Sequence, residues 1–175
     1  AGSLFPALTV RPGTAEASGL PDAIADAVLL SGVVSLIDDL DAVLFEAARV
    51  ARPDGAVAIG DLFSSRSHTL RSGRNVFRTV ESVAERVGAL GWTVVEVGIG
   101  SPPSDASWAV AAAAVDEWIR RHRRDHPAFD VWSTDQAHLG RHVERGDLVA
   151  ACVIARSSTS AHRAPTAHGA HRSTI

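Results

Sequence analysis

Three short stretches of the 175-residue sequence put small or reactive side chains directly after apolar runs, where a chain leaves a buried strand and can meet a ligand. They are Thr14-Ala15 after residues 7–10, Ser31-Gly32-Val33 after residues 27–30, and Asp61-Leu62-Phe63 after residues 56–59. A carboxylate in the position of Asp61 can take a proton as a general base or hold a substrate, and it can equally cap the loop that follows. Ser31-Gly32 is small enough for the backbone to lie close to a ligand, and is also what a plain strand-to-loop turn needs. Beyond Asp61 the polar residues 62–78 include His68, Arg71, Arg74, Asn75 and Arg78. His68, Arg71 and Arg74 offer cationic groups for an anionic substrate, or belong to a solvated loop. No set of residues points to a named catalytic group.

The elements that must position these residues follow from hydrophobic period. Residues 27–30 and 56–59 are short continuous apolar runs, expected as strands covered on both faces. Between them Leu40, Val43, Leu44, Ala47, Val50 and Ala51 fall on one face of a helix. Asp38, Asp39 and Asp41 at its start and Arg49 and Arg52 at its end suit the helix dipole, and Pro53 and Gly55 are expected to stop it. One amphipathic helix joining two buried runs predicts parallel strands with a right-handed crossover. Residues 62–78 read as a loop. A helix over residues 80–90 follows, capped by Thr79 and stopped at Gly91, then a strand over 92–97. Alternating strands and helices give the α/β class.

Residues 101–146 read as a helical insertion before a last strand at 148–155. Trp108, Ala111, Ala112, Val115, Trp118 and Ile119 form a helical stripe that ends in the basic run 120–124, expected as a solvated helix end. Ser133-Thr134-Asp135-Gln136 matches a capping box for a further short helix, closed by Gly146. Residues 157–175 have almost no large apolar side chains and read as a disordered tail after a domain over residues 1–156. The irregular spacing of His162, His168 and His171 in that tail does not suit a metal site.

The segment from Glu46 to Gly55, Glu-Ala-Ala-Arg-Val-Ala-Arg-Pro-Asp-Gly, resembles the Glu-x-x-Arg-Val-Leu-(Arg/Lys)-Pro-Gly-Gly element of class I S-adenosylmethionine-dependent methyltransferases. It is most similar to that of their small-molecule branch, which includes the ubiquinone and menaquinone biosynthesis enzymes. Gly13-Thr14-Ala15-Glu16 and Leu20-Pro21 resemble the branch's Gly-Asp-Ala-Glu-x-Leu-Pro element, and the likeness runs over roughly residues 8–98. It implies a Rossmann-like methyltransferase sheet, with residues 7–10 as its third strand. The two preceding strands, and the Gly-x-Gly-x-Gly turn that ends the first of them, are missing, so the sheet would be incomplete at its N-terminal side. The strand around Val28 would then have one unpaired edge, open to self-association. The resemblance further implies S-adenosylmethionine as cofactor, met by Thr14, Ala15, Ser31, Gly32 and Val33, and a small-molecule substrate met by Asp61, His68 and Arg71. The family usually has an Asp at the position of Thr14, where it accepts from the adenine amino group; a threonine offers only a hydroxyl. Arsenite methyltransferases have a similar spacing but place a cysteine near the position of Gly32 and need several thiols.

Composition excludes several alternatives. The net charge of −3 gives no reason for a nucleic-acid partner, and no apolar run is long enough for a membrane span. The single cysteine, Cys152, rules out an internal disulfide and a cysteine zinc cluster. All 17 basic residues other than histidine are arginine, which excludes a lysine Schiff base or a P-loop lysine. No secretory signal opens the chain, so a cytoplasmic location is the default expectation. A chain that starts at Ala1 and has no methionine reads as a processed product or a fragment of a longer one.

Overall fold

The computed structural model describes residues 9–100 and 106–157. Its elements are β1 (Ala25–Ser31), α1 (Leu40–Val50), β2 (Ala51–Ser64), β3 (Leu70–Ser72), β4 (Asn75–Phe77), α2 (Val80–Ala89), β5 (Trp92–Ile99), α3 (Ala106–His122), α4 (Phe129–Glu144) and β6 (Leu148–Ser157). A 3-10 turn, Val34–Leu36, lies between β1 and α1.

The expected strand–helix–strand unit is present. β1 and β2 pair in parallel, with Val28 opposite Val57 and Leu30 opposite Ile59. α1 starts where the sequence places it, because the Asp39 carboxylate accepts from the Ala42 N–H at 3.1 Å and supplies one of the missing acceptors of the first turn. It ends at Val50, two residues before the Arg52 expected in its last turn, and the chain enters β2 at once. The ladder then jumps from Ala25–Ala51 to Ala27–Ala56, so that residues 52–55 stand out from it. Thr79 caps α2 by accepting from the Ser82 N–H, and Gly91 adopts φ +80° after its last turn.

The main sheet has the order β1-β2-β6-β5. β6 runs antiparallel to both neighbours, so β1, β2 and β5 all point the same way. The core lies between one face of this sheet and helices α1 and α2. Val43, Ile59, Val83 and Val153 are fully enclosed there, and Leu40, Leu44, Val57, Phe63 and Val87 are nearly so. Burying each of these side chains removes apolar surface worth about 1.5–3 kcal/mol from water.

Several expectations need correction. β1 is not covered on both faces, for it lies at the edge of the sheet and Leu29, on its other side, is 70% exposed. Residues 62–78 are not a loop: β2 continues to Ser64, and β3 and β4 form a hairpin. The strand expected at residues 7–10 lies partly outside the described residues, and Thr9 and Val10 are exposed and not in a strand. Ser133-Thr134-Asp135-Gln136 does not start a helix. α4 is already under way from Phe129, and the Ser133 hydroxyl is 3.4 Å from an Arg120 nitrogen on α3. Val115 and Trp118 are more than half exposed, so that part of the α3 stripe is not core. Trp118 stacks on His122, and Arg123 lies over its ring. The tail expected to be disordered, with its three histidines, lies outside the described residues except for Ser157, the last residue of β6.

Candidate functional site

The three strands that share a direction end on the same side of the sheet: β1 at Ser31, β2 at Ser64 and β5 at Ile99. Open α/β sheets receive ligands at such carboxyl ends. An open cleft of about 860 Å3 lies there. Its lining combines strand ends (Ser31, Gly60, Asp61, Leu62, Gly98, Ile99), the 3-10 turn (Ser35, Leu36), the hairpin (Asn75, Phe77), α4 (Leu139) and β6 (Cys152).

Each wall is held by specific bonds. Gly32 turns the chain out of β1 with φ +64°, a conformation that disfavours other residues, and its N–H donates to the Gly60 carbonyl at 2.8 Å. Asp61 lies inside β2, three residues before its end. One carboxylate oxygen accepts from the Ser35 N–H at 2.9 Å and the other from the Leu62 N–H at 2.7 Å. Asp61 therefore ties the 3-10 turn to β2 as well as facing the cleft. Arg78, buried just before α2, donates to the carbonyls of Val34, Ile37 and Asp38 at 2.9, 2.8 and 2.7 Å. Burial pulls its pKa below the usual arginine range, and the nearby Arg86 and Arg71 act in the same direction.

The far wall depends on how α4 is docked. Gly73 forms the hairpin turn at φ +57°, and a Cβ there would come within 2.0 Å of the Asp135 carboxylate on α4. With only glycine tolerated, α4 can approach the hairpin closely. At the end of α4 the buried Asp147 accepts from Arg66 Nε at 2.9 Å and pairs with His142 Nδ1 at 3.0 Å, and its N–H donates to the His142 carbonyl. Hydrogen bonds from His142 and then Arg66 hold the Asp147 carboxyl below the usual aspartate range. The Ser65 N–H and hydroxyl donate to the Asp147 and Gly146 carbonyls at 2.9 and 2.6 Å, so the end of α4 is tied to the chain just past β2.

Of the residues singled out in the sequence, the cleft brings together Ser31, Gly32 and Asp61. Thr14 is exposed, and Ala15 packs against the core from outside the cleft. Val33 also packs on the core. His68 is exposed in the turn between β2 and β3, and Arg71 on β3 pairs with Asp38 at 3.1 Å; neither lines the cleft. Sequence reasoning missed Asn75, Phe77, Leu139 and the cleft position of Cys152. A signal for the hairpin existed: Gly73-Arg74 between Leu70-Arg71-Ser72 and Asn75-Val76-Phe77 is a two-residue turn with glycine first. Among the described residues no group of histidine, cysteine, aspartate and glutamate could hold a metal, and no helix is long and apolar enough to cross a membrane.

Comparison with known proteins bears on the fold. Residues 2–59 match a family model described as a methyltransferase domain. No curated protein sequence matches. Among solved structures, the [4+2]-cyclase SpnF is similar with a TM-score of 0.66 at 19% identity, over 84% of this chain and 54% of that one. An O-methyltransferase of a trans-AT PKS multienzyme from Brevibacillus brevis, in complex with S-adenosyl-L-homocysteine, gives 0.61 at 15% identity, over 83% and 48%. A SAM-dependent methyltransferase from Geobacter sulfurreducens, also with S-adenosyl-L-homocysteine, gives 0.56 at 18% identity, over 82% and 62%. The chain thus spans about half the length of the first two. The described elements have the α/β architecture of Rossmann-like methyltransferases, and the match over residues 2–59 carries the same likeness into the sequence.

Proposed function

We propose that this chain is the acceptor-side part of an S-adenosylmethionine-dependent methyltransferase acting on a small molecule, of the kind related to ubiquinone and menaquinone biosynthesis enzymes, within a longer protein. The observation that carries the reading is the cleft at the carboxyl ends of β1, β2 and β5, where Ser31-Gly32 faces Asp61. Two solved structures of similar fold are S-adenosyl-L-homocysteine complexes of methyltransferases, which supports the choice of cofactor. Ser31 and Gly32 are exposed, and nothing lies within 4 Å of where a Gly32 Cβ would stand, so a ligand can lie directly against this backbone. When bound, the cofactor supplies an electrophilic methyl group on a sulfonium. The protein's own part is alignment: the walls fix the acceptor, and Asp61 accepts a hydrogen bond from its hydroxyl or N–H and takes the proton where one must leave.

A second reading is a methyltransferase-like module that binds or assembles without catalysis. It is favoured by the edge of β1, unpaired among the described residues, and by the lack of a Gly-x-Gly-x-Gly turn in these 175 residues. Such a turn would supply backbone donors and the close approach that glycine permits. On either reading the isolated 175 residues bind the cofactor weakly, and they self-associate edge to edge through β1. Micromolar affinity in a calorimetric titration with S-adenosylmethionine would remove the binding-module reading, while the weak binding expected of this chain fits both. Sedimentation velocity tests the edge. Ala27→Lys, which puts a charge on the exposed edge strand, is expected to shift the protein toward monomer, and a wild-type chain that is monomeric at all concentrations would end that idea.

A further inference from the structure

We propose that the cleft takes an uncharged, largely apolar molecule carrying one hydroxyl or N–H donor, and excludes anions. The proposal rests on the methyl-transfer reading only in calling that molecule the acceptor; the cleft's chemistry stands by itself. Its walls are Leu36, Leu62, Phe77, Ile99 and Leu139, and among the described residues Asp61 is the one carboxylate. The volume of about 860 Å3 is in the usual range for small-molecule pockets, which are mostly apolar with a few polar groups that orient the ligand.

Charge sets the ligand class. Among the described residues no arginine or histidine lines the cleft. Of the cations of the hairpin region, Arg71 pairs with Asp38, Arg78 holds three backbone carbonyls, and Arg74 is exposed in the turn and does not line the cleft. An anion entering would meet the Asp61 carboxylate and no compensating positive charge, while losing its own hydration. Asp61 already accepts one backbone N–H on each oxygen, and each oxygen keeps a lone pair for one more donor. A neutral donor meets that need at the lowest desolvation cost. The anionic substrate that His68 and Arg71 suggested in the sequence therefore has no place in this cleft.

Cys152 provides the readout, because it is the only cysteine of the chain and lines the cleft. Its alkylation by N-ethylmaleimide would be timed in the full chain with 1-naphthol, naphthalene or 1-naphthoate present. Expected is protection by 1-naphthol, weaker protection by naphthalene, and at least about tenfold weaker protection by 1-naphthoate, the desolvated charge deciding the order. Leu139→Asp, a change in a half-buried helix residue, should abolish protection by 1-naphthol. Leu29→Asp, on the exposed side of β1, should leave it intact and so excludes dye-like binding to apolar surface in general. Circular dichroism of both variants shows that they remain folded. Protection by 1-naphthoate equal to that by 1-naphthol, or protection that survives in Leu139→Asp, would overturn the proposal. Protection as expected stands whether or not the 175 residues bind S-adenosylmethionine, so it supports the cleft's ligand class and leaves the methyl-transfer reading to its own test.

Discussion

Replacing Arg78 by methionine keeps the apolar stem of the side chain and removes the fork that holds the 3-10 turn. The cost can be worked from its three acceptors. Val34 is only 4% exposed, so its carbonyl would be left without a partner, at about 1–3 kcal/mol. Ile37 is half-buried and Asp38 exposed, so water can replace the guanidinium there, and each lost bond costs about 0.5–1 kcal/mol net. Relief of the desolvation that lowers the Arg78 pKa offsets part of this. The expected loss is about 3 kcal/mol, which at a urea dependence of about 2 kcal/mol per molar moves the unfolding midpoint down by about 1.5 M. Arg78→Lys, with a single point of donation, should recover about half of that shift. The same change frees Ser35 and its bond to Asp61, so native Cys152 should be alkylated faster in Arg78→Met. An Arg78→Met midpoint within about 0.3 M of wild type at unchanged slope would show that the guanidinium is not what anchors the turn.

The carboxyl of Glu46, bonded first to Arg49 and then to the Ser18 hydroxyl and N–H, is held down at about 2. A depressed carboxyl contributes stability in full above the usual glutamate range and loses it as pH falls toward 2; Glu46→Gln should therefore flatten the acid side of a pH–stability profile and leave less to lose there. Gly73→Ala combines φ +57° with a contact against Asp135 and should cost about 1–2 kcal/mol from the backbone conformation alone; Gly73→Ala/Asp135→Ala should recover only the steric part, as measured by urea unfolding. Asp147→Asn weakens the pairing with Arg66 and His142 and should loosen α4, read as faster amide exchange in residues 129–144 and faster alkylation of Cys152. The lowered Asp147 carboxyl gives the wild-type clasp the same sign of pH dependence as Glu46, strongest above the usual aspartate range and lost as acid protonates it.

How much could be read from the sequence depended on how local the determining forces are. α1 was legible because its cap, its buried stripe and its charges all lie within the helix, and β1, β2 and α2 for similar reasons. The hairpin was not, since three-residue strands are too short to show a period, and only the glycine of its turn marks it. α4 misled for a different reason. Ser133-Thr134-Asp135-Gln136 satisfies a local capping rule, but the helix starts four residues earlier and at an N-cap, Ala128, that offers no side-chain bond. Ser31, Gly32 and Asp61 could be placed near one another because the ends of two parallel apolar runs lie side by side, and all three line the cleft. Phe77, Asn75 and Leu139 reach the same cleft through the hairpin and α4, and nothing local in the sequence states where those elements dock.

The contacts that build the cleft and the open edge belong to different parts of the chain, and this bears on which failures can be told apart. Arg78 holds residues 34–38, Asp61 holds Ser35, and Asp147 anchors the end of α4; none of these bonds uses a residue of β1. β1 contributes Ser31 and Gly32 to the cleft from its carboxyl end, while its edge, unpaired among the described residues, runs along Ala27 and Leu29. A charge placed on that edge therefore tests the proposed association without moving a cleft wall, and a change at Leu139 or Phe77 tests the ligand without creating a new edge. Weak cofactor binding by the 175 residues would for the same reason be no evidence against the proposed acceptor cleft, because the bonds named above that hold its walls all lie within the described residues.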